Sequence, residues 1–192
     1  MNEDLKYRKA EPADAERIME IIRQAQAHMR ALGSLQWQDG YPARADIDRD
    51  IARGYGYVFE KSDAAENPAA AETPQKYDKG TVPGGVIAYG AVVFDGEPAS
   101  GAIVGAWLTG GDYVVLHRLA VADGEKGRGV AAEFMRRTEA LARGRGVGSF
   151  RVDTNFDNRY MLRMLERLRF AYCGKIIYES GERLAFEKPL EA

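Results

Sequence analysis

"GEKGRGVAAEFMRR", Gly124–Arg137, passes from glycine and charge straight into an amphipathic pattern, with no proline or spacer between. A helix N-terminus carries unpaired backbone N–H groups and partial positive charge, so a glycine-rich entry lets an anion approach several donors at once. Gly127 and Gly129 remove side chains from that approach, Lys126 and Arg128 add positive charge, and Val130, Ala131 and Ala132 open a slim first turn. This composition suits a phosphate or pyrophosphate; a tight strand-to-helix turn with two solvated cations is the alternative on the loop alone. A Walker A loop needs lysine and Ser/Thr after its last glycine, where valine and alanine stand. A dinucleotide fingerprint needs G-x-G-x-x-G here and an acidic residue closing the next strand. The later series Gly144, Gly146 and Gly148 follows a helix and suits its termination.

Outward from the loop, "DYVVLHRLAV" (112–121) is dense in β-branched residues and reads as a strand. Val130, Ala131, Phe134, Met135, Thr138, Leu141 and Ala142 form the inward stripe of a helix over 130–143, and 149–154 is the next strand. A strand–helix–strand crossover of this kind makes a right-handed parallel pair. Upstream, 5–10 reads as a strand. Pro12, Asp14, Glu16 and the stop at Gly33 bound a helix whose Ile18, Ile21, Ile22, Ala25, Met29 and Leu32 recur at three and four. A loop then leads to a short helix at Asp46–Arg53, a strand at 55–60 and another at 84–95. Between the last two, Lys61–Pro83 is rich in Ala, Glu, Pro and Lys and reads as a surface excursion. The connection 96–111 has room for a short strand. Residues 157–170 form a further helix, and 171–180 with 182–190 a closing strand pair turning at Ser180-Gly181. The pattern is α+β: a mixed sheet with helices on its faces.

A chain of 192 residues with 45% apolar and 29% charged residues fits one globular domain spanning 1–192. Its formal charge of −2 gives no nucleic-acid footprint. Cys173 is the only cysteine, so no intramolecular disulfide and no cysteine-based metal site can be built, and no metal is expected. The charged N-terminus is no secretory signal and no run of about eighteen apolar residues occurs. The expectation is a cytoplasmic protein without a membrane partner.

"KGRGVA", Lys126–Ala131, resembles the Q/R-x-x-G-x-G/A signature of the GCN5-related N-acetyltransferase (GNAT) superfamily, with lysine in place of the first Gln/Arg. "LAV", Leu119–Val121, is similar to the end of that family's fourth strand. "NRYMLRMLERLRF" keeps Asn158 and Phe170 of the family's N-x-x-A-x-x-x-Y-x-x-x-G-F in register. The resemblance implies a mostly antiparallel sheet of about six or seven strands with one parallel pair, flanked by about four helices. It implies acetyl-CoA or a related acyl-CoA as donor. The pyrophosphate would lie on the backbone of Gly127–Ala132, pantetheine beside Leu119, Ala120 and Val121, and Asn158 at the pantetheine channel. The acceptor would be an amine of a small molecule or peptide, and a homodimer is compatible with this picture.

Two family positions are altered: Leu165 stands where the family's tyrosine acid occurs, and Arg169 replaces the glycine before Phe170. Tyr160, in the first turn of the same helix, is the first substitute acid, ahead of Tyr172 and Tyr178. His117, on the strand bordering the expected acetyl group, is the candidate base, since histidine titrates near neutrality; strict alternation puts it on one face with Tyr113, Val115, Leu119 and Val121. A strand N–H near Leu119 would stabilise the oxyanion. His28 suits packing, Cys173 a core thiol, and Arg163, Arg167 and Arg169 a solvated face from which one could reach the adenosine phosphate. Asp153 and Glu60 could act through water. Trp37 and Tyr41, with the connection 96–113, are candidates for acceptor recognition. An acyl-CoA sensor on the same fold, without turnover, is the alternative that Leu165 keeps open, and an ordinary nucleotide-binding domain is a third.

Overall fold

The computed structural model describes residues 5–61, 85–97, 101–179 and 181–190. The surface excursion expected at 61–83 falls outside them apart from Lys61, as does Ser180 of the closing turn. The strands are β1 Leu5–Lys9, β2 Gly56–Lys61, β3 Gly85–Val93, β4 Ile103–Gly105, β5 Tyr113–Val121, β6 Ser149–Thr154, β7 Ala171–Tyr178 and β8 Gly181–Pro189. The helices are α1 Ala15–Ala31, α2 Arg44–Ala52, α3 Val130–Gly144 and α4 Arg159–Arg167. All eight strands form one sheet in the order β1-β2-β3-β5-β6-β8-β7-β4. Among the described residues, only β5 and β6 pair in parallel.

The strand beyond the expected six or seven is β4, three residues pairing with Gly174–Ile176 of β7. Its backbone runs so close to β7 that a Cβ on Gly105 would collide with the carbonyl of Cys173, and one on Gly174 with that of Val104. It falls within the connection 96–111, where the sequence leaves room for a short strand, although three residues are too few to carry a periodicity and only the glycines mark its place.

The sheet has a core on each face. On one, α3 and α4 cover Phe59, Ile87, Phe150 and Val152 with Phe134, Met135 and Leu165. On the other, Ile18, Ile21 and Ile22 of α1 and Ile47 of α2 cover Val58, Val86 and Tyr89. Each such side chain, fully buried, contributes about 1.5–3 kcal/mol. The three-four spacing of α1 becomes its packed face from Ile18 to Ala25, but not at its far end: Leu32 is the C-cap residue, past the last helical turn, and is 56% exposed.

β5 breaks the alternation expected of it. Arg118 and Leu119 together oppose Gly90 on β3, and Arg118 takes φ 56. This β-bulge adds one residue, so the side chains beyond it change faces. Leu119 and Val121 join Val114 and Leu116 on the α3–α4 side, while Ala120 turns to the α1 side. His117 thus parts company with Leu119 and Val121. Gly90 faces the bulge because a Cβ there would press within 2.8 Å of Phe134 and 2.9 Å of Leu116.

α4 ends in a left-handed turn. The Arg169 N–H donates to the Glu166 carbonyl and the Phe170 N–H to that of Leu165, the two bonds of a Schellman cap. Arg169, at φ 63, occupies the position such caps give to glycine, at a cost of about 1–2 kcal/mol. Phe170 then packs edge-on against Phe150, with ring centroids 5.1 Å apart.

Candidate active site

β5 and β6 pair only from Tyr113–Val115 to Ser149–Arg151. Beyond that, β5 keeps β3 and β6 keeps β8, and the two parallel strands part. The β6-facing edge of β5 from Leu116 to Val121 therefore has no strand partner among the described residues, and Leu119, Ala120 and Val121 lie on this bare stretch.

α3 starts where the strands open. Gly127 (φ 78) and Gly129 (φ 81, the N-cap) are left-handed, and added Cβ atoms would meet no atom of the described residues within 4 Å at either. No side chain caps the helix, so the N–H groups of Val130, Ala131 and Ala132 in its first turn need an outside acceptor. The loop's cations are answered locally. Lys126 Nζ lies 2.5 Å from Asp123 and Arg128 3.4 Å from Glu125, each three residues back; Lys61 also reaches Glu125, at 3.2 Å. Attraction for an anion thus comes from backbone N–H groups more than from side-chain charge. Open glycines, uncapped donors and a bare strand edge together fit a pyrophosphate carrying an extended arm.

Beside this opening lies a cleft of about 710 Å³. On its floor, His117 Nε2 comes within 3.0 Å of Glu97 Oε2 without aligning to form a hydrogen bond. His117 Nδ1 lies 3.9 Å from Asp153 Oδ2. Tyr178 donates its hydroxyl to that same Asp153 oxygen at 3.2 Å. Burial pushes the Asp153 carboxyl above its usual range, against the pull of His117 and the Tyr178 hydrogen bond. Burial, then the charges of Asp153 and Glu97, drive the Tyr178 phenol well above its ordinary value. Tyr178 therefore keeps its proton throughout the neutral range.

The facing wall holds the loop aromatics. Arg118 grips Asp50 with two hydrogen bonds, of 2.8 and 2.6 Å, and donates to the Tyr41 hydroxyl at 2.6 Å. Tyr89 donates to Asp50 from beneath at 2.6 Å. Trp37 lines the cleft while also packing against the α1 core. Of the connection 96–113, Gly96 and Glu97 reach the cleft. Its later part is pinned elsewhere: buried Glu187 accepts from Leu108 N–H, Ser149, the Thr109 hydroxyl at 2.7 Å and Arg151 at 3.1 Å.

The structure brings His117 together with Asp153 and Tyr178, which sequence reasoning ranked low. It does not bring Tyr160 there. Tyr160 is 63% exposed, lies against His28 at 5.8 Å between ring centroids, and is absent from the described cleft lining. Leu165 is fully buried in the α3–α4 core, so its position carries no polar group toward the cleft. Asn158 lines the cleft and caps α4, its Oδ1 accepting from the Met161 N–H at 3.2 Å while its Nδ2 donates to Gln36 at 3.4 Å. Tyr172 sits against Phe186, and Glu60 is bound to Arg8 at 2.8 Å. The Cys173 thiol, pushed up by burial, stands outside the described lining. No cluster of three His, Cys, Asp or Glu suited to a metal occurs among the described residues, and none of their helices is long and apolar enough to cross a membrane.

A sequence profile described as "Acetyltransferase (GNAT) family" matches residues 57–170. A GNAT-family acetyltransferase from Streptococcus agalactiae is 32% identical, with a TM-score of 0.79 over 99% of this chain and 98% of that one. One from Listeria monocytogenes shares the fold at 19% identity and a TM-score of 0.70, over 97% and 95%. The yncA protein of Salmonella typhimurium, solved with its cofactor acetyl-CoA, does so at 16% and 0.58, over 98% and 95%. No curated protein sequence matches significantly. The profile covers more than half of the chain and includes the glycine loop, the splayed strands and α4: the chain belongs to the acetyltransferase (GNAT) family.

Proposed function

We propose that the chain, acting as a single domain in the cytoplasm, transfers an acetyl group from acetyl-CoA to the amine of a small molecule or peptide. The observation that carries this is the adjacency of two features: the uncapped, glycine-entered start of α3 beside the bare edge of β5, and the cleft holding His117, Glu97, Asp153 and Tyr178. Gly127–Ala132 hold the pyrophosphate through backbone N–H groups, and Leu119–Val121 pair with the pantetheine arm. Asn158 shapes the channel through its cap on α4 and its hold on Gln36. The neighbouring structure that contains acetyl-CoA supports the choice of donor.

Acetyl-CoA supplies an activated thioester. An acceptor amine must be neutral to attack, and His117 takes its proton, with Glu97 and Asp153 beside the ring to offset the charge gained. A β5 N–H near Leu119 faces the oxygen on which negative charge grows. The new C–N bond forms as the C–S bond breaks, and the departing thiolate, of ordinary pKa about 8.5, needs little assistance. Tyr178 is better placed than Tyr160 to return a proton. The transfer proposed is direct, a reading supported by Cys173, the chain's one thiol, standing apart from the described cleft lining.

Thermal unfolding with and without acetyl-CoA tests donor binding: at about 100 times Kd a ligand adds roughly 2.7 kcal/mol of stability. No shift at millimolar acetyl-CoA would overturn the proposal. Free-thiol release with a panel of amines and peptides then tests turnover; donor binding without release under any acceptor would leave a sensor.

A further inference from the structure

α3, the end of α4 and Lys188 of β8 line an open groove of about 480 Å³ that shares no lining residue with the cleft among the described residues. Among the described residues, five cations line it, Arg136, Arg143, Arg167, Arg169 and Lys188, against one carboxylate, Glu139, in a chain whose formal charge is −2. Glu139 is already shared by Arg143 and Lys188, at 2.9 and 2.6 Å, and Arg136 is bound to Glu133. The side chains of Arg167 and Arg169 form no ion pair among the described residues. The groove also begins away from the start of α3: Arg136 and Arg143 lie six and thirteen residues past Val130, about 9 and 20 Å along the helix.

Arg169 is what marks the groove as more than a solvated charged surface. It sits in the left-handed position of the α4 cap, where glycine would be unstrained, and it lines the groove together with Arg167. Strain kept at one residue, with an unpaired charge as the result, is the pattern of a binding position. Guanidinium groups match phosphate oxygens in paired, planar fashion.

We propose that this groove is a second anion site, binding a compact phosphate-bearing polyanion of about triphosphate size, separate from the donor loop. Inorganic tripolyphosphate is the probe, titrated calorimetrically into the full chain at low salt, with and without saturating CoA so that the donor loop is blocked in one arm. Binding retained under CoA, weakened at least tenfold in Arg169→Gly and in Arg167→Gln and steeply reduced by added salt, is the expected result. Arg169→Gly should at the same time melt no lower than the parent, since glycine suits the cap. A nucleoside triphosphate in the same titration separates sources: equal affinity points to the phosphate chain alone, tighter binding to a nucleotide. Absence of binding without CoA, or binding that neither substitution weakens, would overturn the proposal; binding that both substitutions weaken but that CoA displaces would still support the groove, with CoA's own phosphates as the competitor. So would a fall in melting temperature for Arg169→Gly, by showing that the arginine packs rather than waits for a ligand. None of these outcomes depends on acetyl transfer, so the acetyltransferase proposal can fail or stand independently.

Discussion

The two halves of the site are made differently. The donor half is backbone: two left-handed glycines, an uncapped helix start and a strand edge, nearly all within Leu116–Ala132. The acceptor half is side chain, with His117 from β5, Asp153 from β6, Tyr178 from β7, Glu97 from the connection after β3, and Arg118 clasping Asp50 of α2. A backbone site can be altered only where a side chain is forced into it. A side-chain site can be dismantled group by group.

The sharpest way to break the donor half is therefore Gly129→Glu. It should abolish acetyl-CoA binding in calorimetry, since a carboxylate would enter the space left for an anion. A Cβ there clashes with nothing, so the left-handed strain of about 1–2 kcal/mol is the main structural cost. Retained affinity would refute the loop assignment.

In the acceptor half, His117→Gln should lower kcat by about 10²–10⁴-fold, leave acetyl-CoA affinity within twofold, and flatten the acidic limb of the pH–rate profile. An unchanged limb would remove His117 as base. Next in size, Asp50→Ala should cost about 3–5 kcal/mol in chemical denaturation, because it strands the Arg118 guanidinium and the Tyr89 hydroxyl. A loss under 1 kcal/mol would mean that Arg118 finds water or another partner.

The smallest effect has the most telling sign. Asp153 has a folded-state pKa raised chiefly by burial, so its contribution to stability is fully present below the ordinary carboxylate value and is lost as pH rises through the folded one. Asp153→Asn should then melt at or above the parent temperature near pH 7, with the advantage shrinking toward about pH 4, while turnover falls. A lower melting temperature at pH 7 would show that the carboxylate supports the fold.

This contrast also governs what could be read from the sequence. The donor loop is contiguous, so its glycines, its slim first turn and even the i−3 pairing of Lys126 and Arg128 with Asp123 and Glu125 are written in one stretch; only the pairing was overlooked. The three-four repeats of α1 and α3 were equally local. The His117 cluster depends on which strands become neighbours: β8 lies between β6 and β7, and Tyr178 reaches Asp153 across it. No spacing rule within β5 anticipates that. Tyr160 looked well placed because it lies in the first turn of the helix that Asn158 caps, yet the two steps from one to the other turn a helical side chain by about 200°, enough to carry it out to His28. The bulge at Arg118 was invisible for a related reason, since alternation assumes that no residue is added.

That bulge sets how the chain can change over generations. It acts as a phase shift in a strand otherwise read two residues at a time. Before it, His117 lies on the cleft floor; after it, Leu119 and Val121 anchor the opposite core. Removing one residue here would turn both anchors out of that core at once, whereas exchanging a side chain on either side disturbs one face only. The segment Leu116–Val121 should therefore tolerate substitution far better than insertion or deletion, and a library of single-residue deletions scored for folding would find its deepest minimum there among the strands.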